Sequence, residues 1–352
     1  MQQSGMPLEN AFTLAYYTIM SSGHPKVYVL ILNYKGWQDT LECLESVYSC
    51  SYPNFEVVVI DNGSHDQSLE KIQAWTRGEL ESQTPQSSPV FNSVKKNRSR
   101  ISHVFVDEQG ALLGEDSGGD SVPFLTLIKS ETDWGCYGGY NLGIRACLKK
   151  GDFEYLWILN NDTAVHKDSL THLVEQAQKN SWGLCGARID EYNQPGTIQG
   201  LAGRFNPFRG RNTEIKDEAQ LNNMDYITGT AMLASRQCFS SSLLPDEYFL
   251  YFEDVDFCYG VKAAGIRFGV AMESVVYHKG GKGSSSAEKE YYFARNILHF
   301  VWKYMPWMLP FSLWYVLVHR AALKLFTGKF RMAGSLFQGA VDFLRGRLGE
   351  RI

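Results

Sequence analysis

Short apolar runs, each closed by polar residues, set the rhythm of this chain. "VYVLIL" (Val27–Leu32), "EVVVI" (Glu56–Ile60) and "YLWIL" (Tyr155–Leu159) lack the alternation of a half-exposed strand. Such runs predict strands covered on both faces, as in a parallel sheet. Between the first two, Leu41, Leu44, Val47 and Tyr48 recur at helical spacing, and Pro53-Asn54 makes a break. "HDQSLEKIQAW" reads as the next helix, so the order is β-α-β-α and an open, mostly parallel sheet is expected. "FLTLI" (Phe124–Ile128) resumes the sheet, and "GCYGGYNLGIRACLKKG" is a glycine-rich turn entering a helix closed by Gly151. Asp168 is placed to cap the helix "SLTHLVEQAQ". "WGLCGARI" and "YITGTAMLA" each read as one strand. Phe257, Val261 and Ala264 share a helical face that stops at Gly265, and a short strand pair then leads to "VVYH".

The pattern lapses from Gly78 to Val122, where only "ISHVFV" has strand character. This segment reads as an insertion, a hairpin between mobile flanks, because a structureless loop that long is unusual in a compact domain. "GGKGSSSAE" (280–288) reads as a flexible lid.

Composition narrows the class. The 352 residues are 44% hydrophobic and 20% charged, with material for one large domain or two smaller ones. A net charge of −4 gives no electrostatic case for nucleic acid. The seven cysteines are scattered, with no CxxC pair, so a reduced cytoplasmic protein is expected rather than a disulfide framework or zinc site. The N-terminus does not read as a signal peptide. "MPWMLPFSLWYVLV" (Met305–Val318) is uncharged, yet too short and proline-interrupted for a span. Its tryptophans and flanking Lys303, Arg320, Lys324, Lys329 and Arg331 leave two readings: a helical subdomain packed on the body, or a peripheral contact with the inner face of the cytoplasmic membrane.

In an open parallel sheet, ligands bind beyond the carboxyl ends of the strands. Three ends here are polar: Asn33-Tyr34, Asp61-Asn62 and Asn161-Asp162. Tyr34 suits stacking on a base, and Asp61 suits accepting hydrogen bonds from a base or ribose. Gly138 and Gly139 lack a Cβ and suit close approach to a phosphate. Asp162 is the natural ligand for Mg²⁺ or Mn²⁺ completed by a diphosphate, with His278 as a possible imidazole ligand. Glu253, Asp254 and Asp256 form an acidic cluster among aromatics; like charges and desolvation raise the pKa of at least one member, as a general base needs.

The ordered motifs "VLILNYKG", "VVVIDNGSHDQS", "GCYGGYNLGI", "LWILNNDT" and "YFLYFEDVDFCYGVKAAG" with "VVYH" resemble the family 2 inverting glycosyltransferases, and within them the rhamnosyltransferase-like branch. The resemblance runs from Lys26 to Tyr304. It implies a glycosyltransferase-A fold, an α/β protein with a Rossmann-like nucleotide half and an acceptor half. The domains are then an extension (1–25), a catalytic domain (26–304, with the 78–122 insertion) and a C-terminal helical region (305–352). It implies a nucleotide-diphosphate sugar donor, a divalent metal, and a glycan or lipid-linked glycan acceptor, as in cell-surface polysaccharide synthesis. Carried over by position, Asn33, Tyr34, Asp61, Gly138, Gly139, Asn141 and Asn161 line the donor pocket. Asp162 and His278 meet the metal, and Asp254, beside Glu253, is the catalytic base. Two other readings stay open: a nucleotidyltransferase, and a non-catalytic sugar-nucleotide binder.

Overall fold

The computed structural model describes residues 23–81, 83–94, 100–116, 124–280 and 286–350. The extension up to residue 22 and lid residues 281–285 lie outside them. The first half of the chain holds β1 (Val27–Asn33), α1 (Trp37–Val47), β2 (Phe55–Asn62), α2 (Ser68–Thr76), β3 (Ser102–Asp107), β4 (Leu112–Asp116), β5 (Phe124–Ser130), α3 (Gly135–Lys150), β6 (Tyr155–Asn160), β7 (Thr163–Val165) and α4 (Ser169–Asn180). Then come β8 (Leu184–Glu191), β9 (Gln194–Gly200), β10 (Ala202–Asn206), β11 (Arg211–Ile215), β12 (Tyr226–Ile227), β13 (Ala231–Ser235), α5 (Glu253–Ala263) and β14 (Phe268–His278). The chain closes with α6 (Ser286–Tyr304), α7 (Leu309–Trp314), α8 (Ala321–Phe326) and α9 (Phe330–Leu344).

The main sheet runs β4-β3-β5-β2-β1-β6-β13-β8-β14-β7, with β9 on β8; β11-β10-β12 make a small antiparallel sheet. Strands β3, β5, β2, β1 and β6 are parallel neighbours, and β13 inserts antiparallel between β6 and β8. The continuous apolar runs are explained by helices on both faces. Val27, Val29 and Ile31 join one core with Leu41 and Leu44 of α1, while Tyr28 and Leu30 join the other with Tyr140 and Ile144 of α3. Each such fully buried aliphatic side chain contributes about 1.5–3 kcal/mol relative to exposure.

Five expectations change. The 78–122 segment is not outside the sheet: β3 pairs parallel with β5 and carries β4 as its antiparallel edge. Its earlier part is anchored by buried Glu45, whose carboxylate accepts from the Gln83 and Thr84 amides at 3.0 Å each. "YITGTAMLA" is two strands in two sheets, broken at Thr228–Thr230. The stretch ending in "VVYH" is one strand with a bulge between Ala271 and Val275 against β8. Asp168 does precede α4, but its side chain caps nothing; it accepts from Ser51 Oγ at 2.9 Å and pairs with Lys167. Ala264, expected on the packed face of α5, is exposed.

Candidate active site

Strand register brings the polar ends to one edge. Asn33 lies opposite Asp61, Leu32 opposite Asn160, and Asn62 opposite Ser130. A hydrogen-bond chain runs across that edge. Asn161 Nδ2 donates to Thr40 Oγ1 (3.0 Å), Thr40 Oγ1 to Asn33 Oδ1 (2.8 Å), and Asn33 Nδ2 to Asp61 Oδ1 (2.7 Å). Ser64 Oγ also donates to Asp61 Oδ1 at 2.5 Å. Burial pushes the Asp61 carboxyl up, and the Ser64 and Asn33 donors oppose that. Asn33 is fully buried, with its amide used on Asp61 and Ser64, so it orients the acid from beneath. Tyr34 stands outside, 45% exposed, with the Lys35 ammonium 4.7 Å from its ring centre.

Asp162 and His278 are 116 positions apart in the chain and meet here. Asp162 Oδ1 is 3.2 Å from His278 Nε2, because β14 pairs with β7 directly after Asp162. The other ring nitrogen, Nδ1, lies 2.5 Å from Gln199 Oε1 of β9, which sets the imidazole plane. The Lys279 amide donates to the Asp162 carbonyl, and its ammonium pairs with Asp39 and Glu42. Among the described residues no group of three or more His, Cys, Asp or Glu side chains gathers as a metal cluster.

The acidic cluster divides. Asp256 is used in packing, held by Tyr248 Oη at 2.6 Å, Tyr304 Oη at 2.9 Å and Lys303 Nζ. Asp254 Oδ2 accepts from the Gly229 amide at 3.2 Å, and Oδ1 from the Val255 amide at 2.8 Å. Gly229 sits in the break between β12 and β13, and the next residue, Thr230, accepts from the Asn160 amide. The break thus ties Asp254 to the strand end that carries Asp162. Burial pushes Asp254 up, and those amide donors favour its anion. Glu253 Oε2 is buried without a partner, and burial plus the Asp254 charge push Glu253 up to about 8. Burial thus raises both carboxyls, while two amide donors favour the anion on Asp254 and Glu253 Oε2 has none.

The turn before this pair is strained. Phe249, Tyr251 and Phe252 have φ of 63°, 67° and 78°, a region costly for side chains of this size. Asn296 of α6, fully buried, holds the turn by donating to the carbonyls of Leu250 and Tyr251 at 2.8 Å and of Tyr248 at 3.1 Å. From the other side the Cys136 amide donates to the Phe249 carbonyl at 2.8 Å. Gly135, at φ 72°, permits that approach: a Cβ there would lie 2.9 Å from Phe249 Cα.

The start of α3 meets the acidic turn rather than open space, and Gly138 and Gly139 are buried. A Cβ on Gly139 would come within 3.0 Å of the Asn62 carboxamide, so the residue lets α3 lie close on the sheet. Asn141 is buried as well. Its amide brackets Leu244, donating to the carbonyl at 2.9 Å and accepting from the amide at 3.0 Å. It lines a cavity of about 590 Å³ with Arg145, Asp246 and Lys303, and neither Asp162, His278 nor Asp254 faces that cavity. Sequence reasoning missed Gln199, Thr40, Asn296 and the Thr228–Thr230 break. Only the last carried a signal, a Thr-Gly-Thr interrupting an apolar run.

Residues 28–93 and 119–240 match the model of glycosyl transferase family 2, just over half of the chain. The chain belongs to that family. Its unmatched stretch, 94–118, includes the β3–β4 hairpin, and the match ends before Asp254 and His278. Among curated relatives, the low-salt glycan biosynthesis hexosyltransferase Agl10 of Haloferax volcanii is 26% identical over 155 residues, 41% of this chain. The chain spans about half the length of that relative, 48%. Among solved structures, the mannosyltransferase PcManGT of Pyrobaculum calidifontis, in complex with GDP-Man and Mn²⁺, superposes with a TM-score of 0.52 at 15% identity. That alignment covers 96% of this chain and 95% of the other. GalNAc-T7 with UDP, GalNAc and Mn²⁺ superposes with a TM-score of 0.55 at 14% identity, over 92% of this chain and 56% of that one. At these identities the likeness concerns the fold, which is the glycosyltransferase-A type with a C-terminal helical region.

Proposed function

We propose that this family 2 chain transfers a sugar from a nucleotide-diphosphate donor to a hydroxyl of a glycan or lipid-linked glycan, with inversion at the anomeric carbon. The observation that carries the reading is the pairing of functions on one sheet edge. An oriented Asp162–His278 pair lies at the end of β6 and β14, and a buried, amide-bound Asp254 is tied to the same edge through Gly229 and Thr230.

The donor set suits a divalent cation, Mn²⁺ before Mg²⁺, because it joins an imidazole to a carboxylate. The 3.2 Å between Asp162 Oδ1 and His278 Nε2 is compatible with two ligands sharing one ion. When bound, such an ion would neutralise charge on the departing nucleoside diphosphate. Asp162 and His278 would hold it, with Gln199 fixing the ring. Tyr34 would stack on the base, and Asp61, braced by Asn33 and Ser64, would accept from base or ribose. Asn161 would be a neutral contact. Asp254 would take the proton from the acceptor hydroxyl as that oxygen attacks the anomeric carbon from the face opposite the leaving group. Glu253, neutral beside it, would leave the charge on Asp254.

The mannosyltransferase and GalNAc-T7 neighbours, described with nucleotide or nucleotide sugar and Mn²⁺, favour this cofactor and donor class, as the Agl10 likeness favours a hexosyl donor. The rhamnosyltransferase-like motifs put nucleoside-diphosphate rhamnose first, with glucose and galactofuranose donors beside it. Activity at the cytoplasmic face, where such donors are found, is part of the proposal. The test is a thermal-shift screen of these donors with Mn²⁺ and Mg²⁺, followed by transfer assays. Asp254→Asn should still bind donor and lose transfer; near wild-type turnover would remove Asp254 as the base.

A further inference from the structure

No described helix is long and apolar enough to cross a membrane, yet the C-terminal helices leave large apolar side chains outside. In α9, Ala333, Leu336 and Ala340 are buried, while Phe330, Phe337, Val341 and Leu344 are exposed. The exposed set is spaced i, i+7, i+11, i+14, so it forms one stripe along the helix. Trp307, Phe311, Trp314 and Val318, spaced i, i+4, i+7, i+11, form a second exposed stripe, with Met308, Ser312 and Val316 buried behind it. The two helical stretches join at the turn Thr327–Lys329, where Phe326 is 93% exposed and Phe330 69%. The small sheet adds to the surface: Phe208, exposed between β10 and β11, meets Phe311 edge-on at 6.2 Å.

Charge decides what such a surface fits. From Trp302 to Gly349 the sequence has one carboxylate, Asp342, and it is buried against Tyr291 Oη at 3.1 Å. Arg320 and Lys324 are paired with Glu290. Lys329, Arg331 and Arg345 are exposed and make no ion pair among the described residues. The apolar tip therefore carries two cations without an ion pair, Lys329 and Arg331, and Arg345 lies at the far end of α9, although the whole chain carries −4. A second copy is a poor occupant, because a two-fold contact at the tip would set Lys329 and Arg331 against the same cations. Tryptophan and phenylalanine with unpaired Lys and Arg, on a stretch that holds no exposed carboxylate from Trp302 to Gly349, match the headgroup region of an anionic bilayer.

We propose that the α7–α9 surface docks in the plane of an anionic lipid bilayer, with the Phe326–Phe330 tip entering the headgroup layer. This does not rest on the transfer reading: a chain inactive on every donor would still bind vesicles. The experiment is co-sedimentation of the full chain with phosphatidylcholine vesicles, with and without phosphatidylglycerol, at low and high salt. Binding should require the anionic lipid, weaken with salt, and blue-shift tryptophan emission. Lys329→Glu with Arg331→Glu should lower the vesicle partition by at least about tenfold, since each cation near such a surface is worth about fivefold. Phe326→Glu with Phe330→Glu should do the same, with the melting temperature unchanged in both. Wild type left in the supernatant, equal binding to neutral vesicles at both salt levels, or undiminished binding by either double variant would overturn the proposal. So would vesicle-free self-association, seen by light scattering and abolished by these substitutions.

Discussion

Replacing Asn296 with alanine removes one carboxamide and tests what holds the acidic pair in place. The amide is buried and donates to three carbonyls of the turn Tyr248–Phe252. The Tyr248 carbonyl keeps Arg295 Nη2 as a donor at 2.7 Å, so the loss falls on Leu250 and Tyr251. Both carbonyls are part-buried, so losing this donor costs each at most about 1–3 kcal/mol. Three residues of the turn sit at positive φ, each at about 1–3 kcal/mol of strain, so the freed turn gains by relaxing. We expect a net loss of about 3 kcal/mol, or about 5 °C in Tm. Relaxation at Phe252 would carry Glu253 and Asp254 with it, and a displacement near 1 Å costs about a hundredfold in rate. The assay is donor turnover with melting, beside Leu173→Ala, a core truncation on α4 with a stability cost of about 2–5 kcal/mol. Asn296→Ala should lose at least about tenfold in kcat with donor KM little changed, while Leu173→Ala keeps its kcat below its melting range. If the two variants lose kcat in proportion to stability, the clamp is structural only; unchanged kcat and Tm would refute the reasoning outright.

Further outcomes follow from the same geometry. Glu253 holds its proton in the folded chain up to about 8, whereas the unfolded chain loses it in the usual carboxylate range. Native binding of the extra proton makes stability fall as pH rises through that window. Glu253→Gln should flatten that slope in denaturant titrations at pH 5.5 and 8 (conditions of about this spacing) and keep transfer at neutral pH within a few-fold; an unchanged slope would contradict the neutral-acid assignment. Asp162→Ala and His278→Ala should each abolish the Mn²⁺-dependent part of donor binding by calorimetry, and undiminished affinity would remove that residue from the ion. Gln199→Ala, which frees the His278 ring, should weaken Mn²⁺ by about 10–100-fold without changing donor affinity in its absence. Gly139→Ala should lower Tm through overpacking of about 1–3 kcal/mol while the folded protein binds donor normally; lost donor affinity at unchanged Tm would restore it to the pocket.

Much of the proposed donor edge was legible because strand ends are written locally. An apolar run that stops at Asn33, Asp61 or Asn161 marks a sheet edge whatever the rest of the chain does, and β-α-β order fixes that these ends face one way. The acidic pair was legible for its composition, an acid cluster among aromatics. The glycines could not be assigned one use from sequence, because a missing Cβ admits a ligand and a neighbouring strand equally well; at Gly139 the structure shows α3 packed on Leu32 and Asn62.

The sequence by itself determined the buried strands, the parallel edge and the residue types available for chemistry, since each depends on hydrophobic period and local turn preference. Tertiary structure decided the rest. It set Asp162 against His278 through the β7–β14 pairing, placed the "ISHVFV" strand of the insertion beside β5 in the main sheet, and gave Asp256 to packing while leaving Asp254 to two amides. It also decided that the C-terminal aromatics divide, some inward and many outward. A helix period shows that a stripe exists, but only the packed neighbours show which stripe has been left uncovered.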